Sequence, residues 1–391
     1  MKNLEALKRE IVSAVDARRS ELSKLSLKIH ANPELGLREV KASGWLTDYL
    51  RKNDFTVESG ICELPTAFRA SYGNGSPAIA LLAEYDALPK IGHACGHNII
   101  GTASAGAAVA ARQAVDQLGG TVLVIGTPGE ESGGGKAIMA KRGAFDNLDA
   151  AMLVHPDIYD TAATRTLACQ PLEVEFFGKA AHAAAHPEAG INALDAMLLS
   201  FAAINSLRQH IRTTARIHGI ITDGGEAANI VPAHTAASFL VRAGDEAYLE
   251  ELKQRVLNCF TGAATATGAR LVHRWGDNAY ALLLNNPTLA QLFRQNMQSL
   301  GRRVHLSEPV QAFGSSDMGN VSQVVPAIHP TVAIAPADVP LHSVAFAAAA
   351  ASEAGIRGLM DAAKALAMTV ADLAANPEIV GQIREEFRKS K

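Results

Sequence analysis

The sequence predicts an α/β domain, with a mixed sheet and helices on both faces, interrupted by a smaller α+β unit of ferredoxin-like type. Three observations carry this reading. Short apolar runs alternate with helical patterns through the first part of the chain. Near Leu167 the pattern changes to strand, helix, strand, strand, helix, strand. From Pro287 the first style resumes. The expected boundaries are 1–167 with 281–391 for the outer domain and 168–280 for the insert. Insertion at an exposed loop disturbs few contacts, so this topology is easily reached.

The elements follow in order. Leu4, Leu7, Ile11, Ala14, Val15, Leu22, Leu25 and Ile29 recur at helical spacing and predict one amphipathic helix over Leu4–Ile29, broken by Asn32-Pro33. Val40–Asn53 reads as a second helix. Ala78–Ala83 is a buried strand that leads into an acidic turn, and Ala103–Gln117 is helical. Thr121–Thr127 is another buried strand, followed by a short helix over Lys136–Lys141 and a third strand at Ala150–Val154. In the insert, Leu172–Phe177 alternates apolar and acidic residues, as a half-exposed strand does. A helix over Asn192–Gln209, strands at Ile217–Ile221 and Thr235–Arg242, and a helix over Tyr248–Cys259 follow.

Composition excludes several classes. The chain has 391 residues, 48% hydrophobic and 19% charged, which suits more than one folded core rather than disorder. A net charge of -3 without long charge runs argues against a nucleic-acid partner. The four cysteines, Cys62, Cys95, Cys169 and Cys259, form no CxxC and no disulfide framework. Met1–Arg19 lacks the apolar core of a secretory signal. Ile99–Val115 is apolar but rich in Ala and Gly and interrupted by Arg112, so it reads as a buried helix and not a membrane span. A cytoplasmic location is the default expectation.

The densest chemical cluster is His93-Ala94-Cys95-Gly96-His97-Asn98. Thiolate and imidazole are ligands for zinc-like cations. On an extended segment, Cys95 and His97 would point the same way. A single HxCxH also arises by chance in a loop. Glu84-Tyr85-Asp86 follows a strand, where open α/β sheets place their ligands, although a solvated turn looks the same. Glu130-Glu131 follows the next strand and precedes a glycine run. Adjacent carboxylates repel unless a positive group lies beside them. One can hold a cation while the other exchanges a proton with water. His155 at a strand end, His182 in Ala180–Ala184 and His342 in Pro340–Ser343 are each weak signals alone. His30, His210, His234 and His273 read as structural or surface residues.

Together the segments HANPELGLRE, LLAEYDALP, GHACGHN, GTPGEESGGGKAIM, GKAAHAAAHPEAGINAL, GSSDMGNVS and PLHS resemble the dinuclear metallopeptidase family of aminoacylases and glutamate carboxypeptidases. The resemblance is strongest to its amidohydrolase branch, with its aminobenzoyl-glutamate hydrolases, auxin-conjugate hydrolases and related dipeptidases. It runs in order over almost the whole chain. It implies two divalent metal ions, zinc or manganese first, cobalt or nickel next. Cys95 stands where most of the family has a bridging Asp. Glu131 with His342 would complete one metal site, and His97 with His155 the other. Glu130 would be the general base and acid. Glu84 replaces a liganding His of many relatives, so His97 would supply that ligand, with Asp86 orienting a metal-bound group by hydrogen bonding.

The same resemblance makes the insert a dimerisation domain. His182 would reach the partner's active site and polarise the substrate carbonyl or hold its oxyanion. Asn229 would contact the carboxylate end of the substrate. Asn98, in place of an Asp, and the EYD triplet favour the dipeptidase and aminobenzoyl-glutamate group over the auxin-conjugate hydrolases. The expected substrate is a small N-acyl amino acid or dipeptide, with an aminobenzoyl-glutamate-type carboxypeptidase as the alternative. From another class come a non-catalytic metal-binding or ligand-sensing dimer, and a structural dimer with redox or storage cysteine and histidines. Fold alone does not guarantee activity. A degenerate relative would be expected to have lost Glu130 or a ligand, and neither is lost here. Lack of bound metal after reconstitution would favour the structural dimer.

Overall fold

The computed structural model describes residues 4–307 and 314–391, so the start of the first domain range and the segment 308–313 lie outside the description. In chain order the strands are β1 (Thr56–Ser59), β2 (Phe68–Asn74), β3 (Ala78–Ala83), β4 (Gly120–Gly126), β5 (Ala150–Met152), β6 (His155–Asp157), β7 (Ala168–Phe177), β8 (Arg216–Asp223), β9 (His234–Ala243), β10 (Arg270–Trp275), β11 (Ala327–Ile328) and β12 (Thr331–Ala333). Two compact units result. The larger runs to Arg165, takes up again at Leu283 and includes Asp317–Lys391. The smaller is Thr166–Leu282, with residues 314–316 counted in it.

The larger unit is built on a mixed sheet of order β1-β2-β4-β3-β5-β11. The first two pairings are antiparallel, and β4, β3, β5 and β11 run parallel. Strand alternation sorts the apolar side chains to two faces. Ile79, Leu81, Val122, Val124 and Met152 join one core, with helices Leu4–Ala17, His97–Leu118 and Glu353–Ala375. Ala80, Leu82, Leu123, Ile125 and Ala151 join the other, with Met139 and Met318. Burial on both faces is why β3 and β4 read as continuous apolar runs.

The smaller unit carries an antiparallel sheet of order β10-β7-β9-β8, with helices Ala193–Arg208 and Glu246–Thr267. With its strands numbered along the chain, the order is 4-1-3-2, the ferredoxin-like arrangement. Leu172, Val174, Phe176, Phe239, Val241 and Phe260 form its own core.

Three expected elements are corrected. The helix over Leu4–Ile29 is two, Leu4–Ala17 and Arg19–His30, because Arg18 (φ -95, ψ 4) leaves the helical ladder. The apolar stripe continues through the break, so periodicity does not reveal it. The helix expected at Ala103 starts at His97, with Gly96 in the left-handed conformation ahead of it. The extended segment assigned to Cys95 and His97 therefore does not exist. The helix over Tyr248–Cys259 runs from Glu246 to Thr267: Phe260 and Ala263 continue its buried stripe, and only the residues beyond them are uniformly small.

Candidate metal centre

The carboxyl ends of the parallel strands assemble the site. Glu84–Asp86 follow β3, Glu130 and Glu131 follow β4, and His155 lies just beyond β5. This is where open parallel sheets collect functional groups, since each strand there delivers a loop to the same edge. Cys95 and His97 straddle Gly96, whose φ of 77° suits glycine and whose added Cβ would come within 2.7 Å of Pro156. That close approach brings Cys95 Sγ to 3.4 Å from His155 Nε2. The His342 amide donates to the Ala94 carbonyl at 3.0 Å, and His342 Nε2 lies 3.3 Å from Cys95 Sγ.

Three overlapping donor groups result: Cys95, His97 and His155; Cys95, Glu131 and His342; His97, Glu130 and Glu131. Within each group the donor atoms all lie within 4.8 Å of one another. Cys95 thus belongs to two groups and stands between them.

The histidines are oriented for coordination by the bonds of their other nitrogens. His97 Nδ1 donates to Asp86 Oδ1 at 2.8 Å, which turns the Nε2 lone pair toward the cluster. His155 Nδ1 donates to the Pro156 carbonyl at 2.6 Å with the same consequence. Asp86 also accepts the Glu131 backbone N–H on Oδ2 at 3.0 Å, so one carboxylate fixes members of two groups. Glu131 Oε1 lies 3.3 Å from His342 Nε2 and 4.0 Å from His97 Nε2.

These residues fit a divalent cation. His97 Nε2 and Glu131 Oε1 are buried without a hydrogen-bond partner. Such atoms are costly unless something positive satisfies them. With metal–sulfur and metal–nitrogen bonds of about 2.3 and 2.05 Å, a tetrahedral ion sets its S and N ligands roughly 3.5 Å apart. The sulfur–nitrogen spacings of 3.4 and 3.3 Å fall at that value. The sulfur, nitrogen and carboxylate set suits zinc and its neighbours better than calcium or magnesium.

Charge in this end of the molecule is tightly coupled. Burial pushes the Cys95 thiol well above its ordinary value. Burial opposes charge on His97, but Asp86 outweighs it and raises its pKa. Burial, then Glu84 and Asp317, push Glu130 well up. Burial works against ionisation of Glu131, yet His342 and His97 hold it below the carboxylate range.

Sequence reading missed several members of this end. Glu84 does not lie in a turn open to solvent: it is fully buried and pairs with Lys136 Nζ at 2.7 Å. Lys136 Nζ also meets Asp317 Oδ1 at 2.6 Å. His329, beyond β11, sets its ring 5.4 Å from that of His155. Sequence reading singles out Glu84 but not its partner; Lys136, Asp317 and His329 carry no local signal, since each meets this end from a distant segment. Asn98 is turned into the core, donating to Ser26 Oγ at 2.9 Å and the Ala350 carbonyl at 3.3 Å.

His182 and Asn229 belong to the smaller unit, on two loops that pair in antiparallel register. The Ala183 amide donates to the Asn229 carbonyl at 3.0 Å, and His182 bridges Ile230. Both side chains are exposed. His182 Nδ1 accepts the amides of Ala184 at 3.3 Å and Ala185 at 3.2 Å. That arrangement assigns the ring proton to Nε2, which makes it a donor.

The sequence pattern of Peptidase family M20/M25/M40 matches residues 80–371. The chain belongs to this family. As an M20 member it is a hydrolase, a metal-dependent peptidase. It is 37% identical over 401 residues to an Xaa-Arg dipeptidase of Mus musculus, covering 98% of this chain and 93% of that protein. It is 36% identical over 319 residues to a p-aminobenzoyl-glutamate hydrolase chain of Escherichia coli, covering 76% of this chain and 66% of that one. A dinuclear metal-binding M20 peptidase of Bacillus subtilis shares the fold, with a TM-score of 0.69 at 20% identity over 92% of this chain and 99% of that one. Among the described residues no helix is long and apolar enough to cross a membrane.

Proposed function

We propose that this M20 member hydrolyses the amide bond of a dipeptide or small N-acyl amino acid with a free carboxylate. The observation that carries the proposal is the set of overlapping donor groups sharing Cys95 and His97. In this reading two divalent cations, zinc or manganese, are held by Cys95 with His97 and His155, and by Cys95 with Glu131 and His342. When bound, such ions lower the pKa of water and polarise the scissile carbonyl. Glu130 takes the proton from the attacking water and returns it to the leaving amine. Asp86 orients His97 and the Glu131 backbone. His182, a donor through Nε2, stabilises the oxyanion, and Asn229 binds the carboxylate end.

The match to an Xaa-Arg dipeptidase over 98% of the chain supports dipeptides, with a basic C-terminal residue first, over aminobenzoyl-glutamate. We further propose a cytoplasmic homodimer whose smaller unit is the dimerisation domain. The four cysteines are all free thiols, as a reducing compartment keeps them. The edge strand β8 exposes Ile220 and Ile221, and the adjoining helix Ala193–Arg208 exposes Leu198 and Leu199. Arg208 Nε, on that helix, donates to the Ile217 carbonyl of β8 at 3.0 Å, so strand and helix lie side by side. An unpaired edge beside exposed apolar residues suits pairing with a second copy.

The test is release of free amino acid by the metal-reconstituted chain from α-aminoacyl and β-alanyl dipeptides, N-acetyl amino acids and aminobenzoyl-glutamate. Removal of a general base lowers turnover by roughly 10² to 10⁴. Glu130→Ala is expected to fall in that range with its metals retained. Substantial turnover in that variant overturns the assignment of Glu130. No release from any substrate by the metal-loaded wild type overturns the substrate class.

A further inference from the structure

Glu84, Lys136 and Asp317 are each fully buried, and their three charges meet at one point. Lys136 Nζ lies 2.7 Å from Glu84 Oε1 and 2.6 Å from Asp317 Oδ1. Asp317 Oδ2 accepts the Lys136 backbone N–H at 2.8 Å, so this carboxylate grips the residue at both its main chain and its side-chain tip. Burying three charges is expensive, and apolar residues of the same volume would stabilise a fold as well or better. The cluster's position gives it a use.

Lys136 lies in the first turn of the helix Gly135–Lys141, which closes the loop that begins after β4 and carries Glu130 and Glu131. That loop is otherwise rich in glycine. It is held internally by the Gly133 and Gly134 amides on the Gly129 carbonyl, at 2.9 and 2.8 Å. Glycine leaves a backbone free to wander unless something outside it fixes the end. Glu84 directly follows β3 and Asp317 precedes the helix Met318–Ser322, so the ammonium ties three separate segments to one point.

We infer that Lys136 is a positioning residue for the reaction, acting through Glu84 and Asp317 to hold the carboxylate loop at the register its chemistry needs. This rests on the hydrolytic reading above. A displacement of about 1 Å at a reacting group can lower a rate by about a hundredfold.

The experiment compares two metal-loaded full-length variants with wild type. Lys136→Met leaves two carboxylates unpaired. The triple variant Glu84→Gln, Lys136→Met, Asp317→Asn keeps the volumes and removes every charge, so it folds even where the single variant does not. Melting temperature, metal stoichiometry, kcat and KM are measured. The expected result is a triple variant with wild-type melting and KM, at least tenfold lower kcat, and weakened retention of metal against a chelator. A triple variant with wild-type kcat and metal retention overturns the inference and leaves the triad as packing. Glu130→Ala run alongside separates this from the underlying reading: activity in that variant counts against the base, whatever the triad does.

Discussion

In the larger unit, His97 is wholly buried, with Nδ1 fixed by Asp86 and Nε2 turned into a nest of other donors. In the smaller unit, His182 is exposed, and only its Nδ1 is committed, to two amides of its own loop. The first histidine is held from several elements of the fold and the second by a local turn. A buried, pre-oriented set needs no reorganisation when charge develops near it. An exposed donor is aligned only once a ligand meets it. Damage to the first region should therefore remove cation binding and turnover together. Damage to the second should leave the cations in place.

The largest expected effect is at Cys95. Its sulfur belongs to two of the three donor groups, so Cys95→Ala should release metal from both, not from one. Metal assistance contributes several kcal/mol to such a reaction, on the order of a thousandfold in rate. Elemental analysis after desalting should find metal far below wild-type stoichiometry, with turnover reduced to match. Full stoichiometry in Cys95→Ala would remove the shared thiolate from the account and with it the sharp contrast between the regions.

The same contrast governs what the sequence made legible. The β3 and β4 runs, the Glu130-Glu131 pair and the HxCxH cluster are contiguous, and each owes its pattern to its own neighbours. Lys136 reads from the sequence only as the start of a short helix. Its buried meeting with Asp317 spans 181 positions, and no local pattern encodes it. His329 escapes a sequence reading for the same reason. The extended geometry expected for Cys95 and His97 fails because a single left-handed Gly96 starts a helix one residue later. A spacing of two residues suggests a common direction, whereas the fold brings both side chains to the cluster by way of that turn. On the smaller unit the alternation in β7 is plain, but the antiparallel pairing of the His182 and Asn229 loops depends on long-range backbone bonds.

The next effect in size sharpens the comparison from the other side. His182→Ala should keep metal stoichiometry and melting temperature, since the side chain is exposed and bonds only its own loop. Removal of a hydrogen-bond donor to a developing oxyanion costs roughly 10² to 10³ in kcat. Steady-state kinetics beside metal analysis checks both halves. A His182→Ala enzyme with full turnover would reduce this loop to a surface feature.

The smallest effect concerns stability of the smaller unit alone. His234 on β9 lies between two carboxylates from its neighbouring strands, with Nε2 at 2.8 Å from Glu175 Oε2 and Nδ1 at 2.9 Å from Asp223 Oδ2. Glu175 first raises the His234 pKa, burial opposes it, and Asp223 adds to the rise, so the net shift is upward. A histidine whose folded pKa lies above its unfolded one adds stability that is fully present below the unfolded pKa. That stability disappears as pH rises through the folded value. All three groups are partly open to solvent, so salt should weaken the effect. His234→Gln should therefore melt below wild type at pH 6 in low salt, with the two curves converging as pH rises or salt is added. The metal cluster, buried and built from other elements, should retain its metals throughout that series. A constant gap between the two proteins at every pH would mean that His234 contributes by packing against Phe177, whose ring lies 4.9 Å away, and not by its charge.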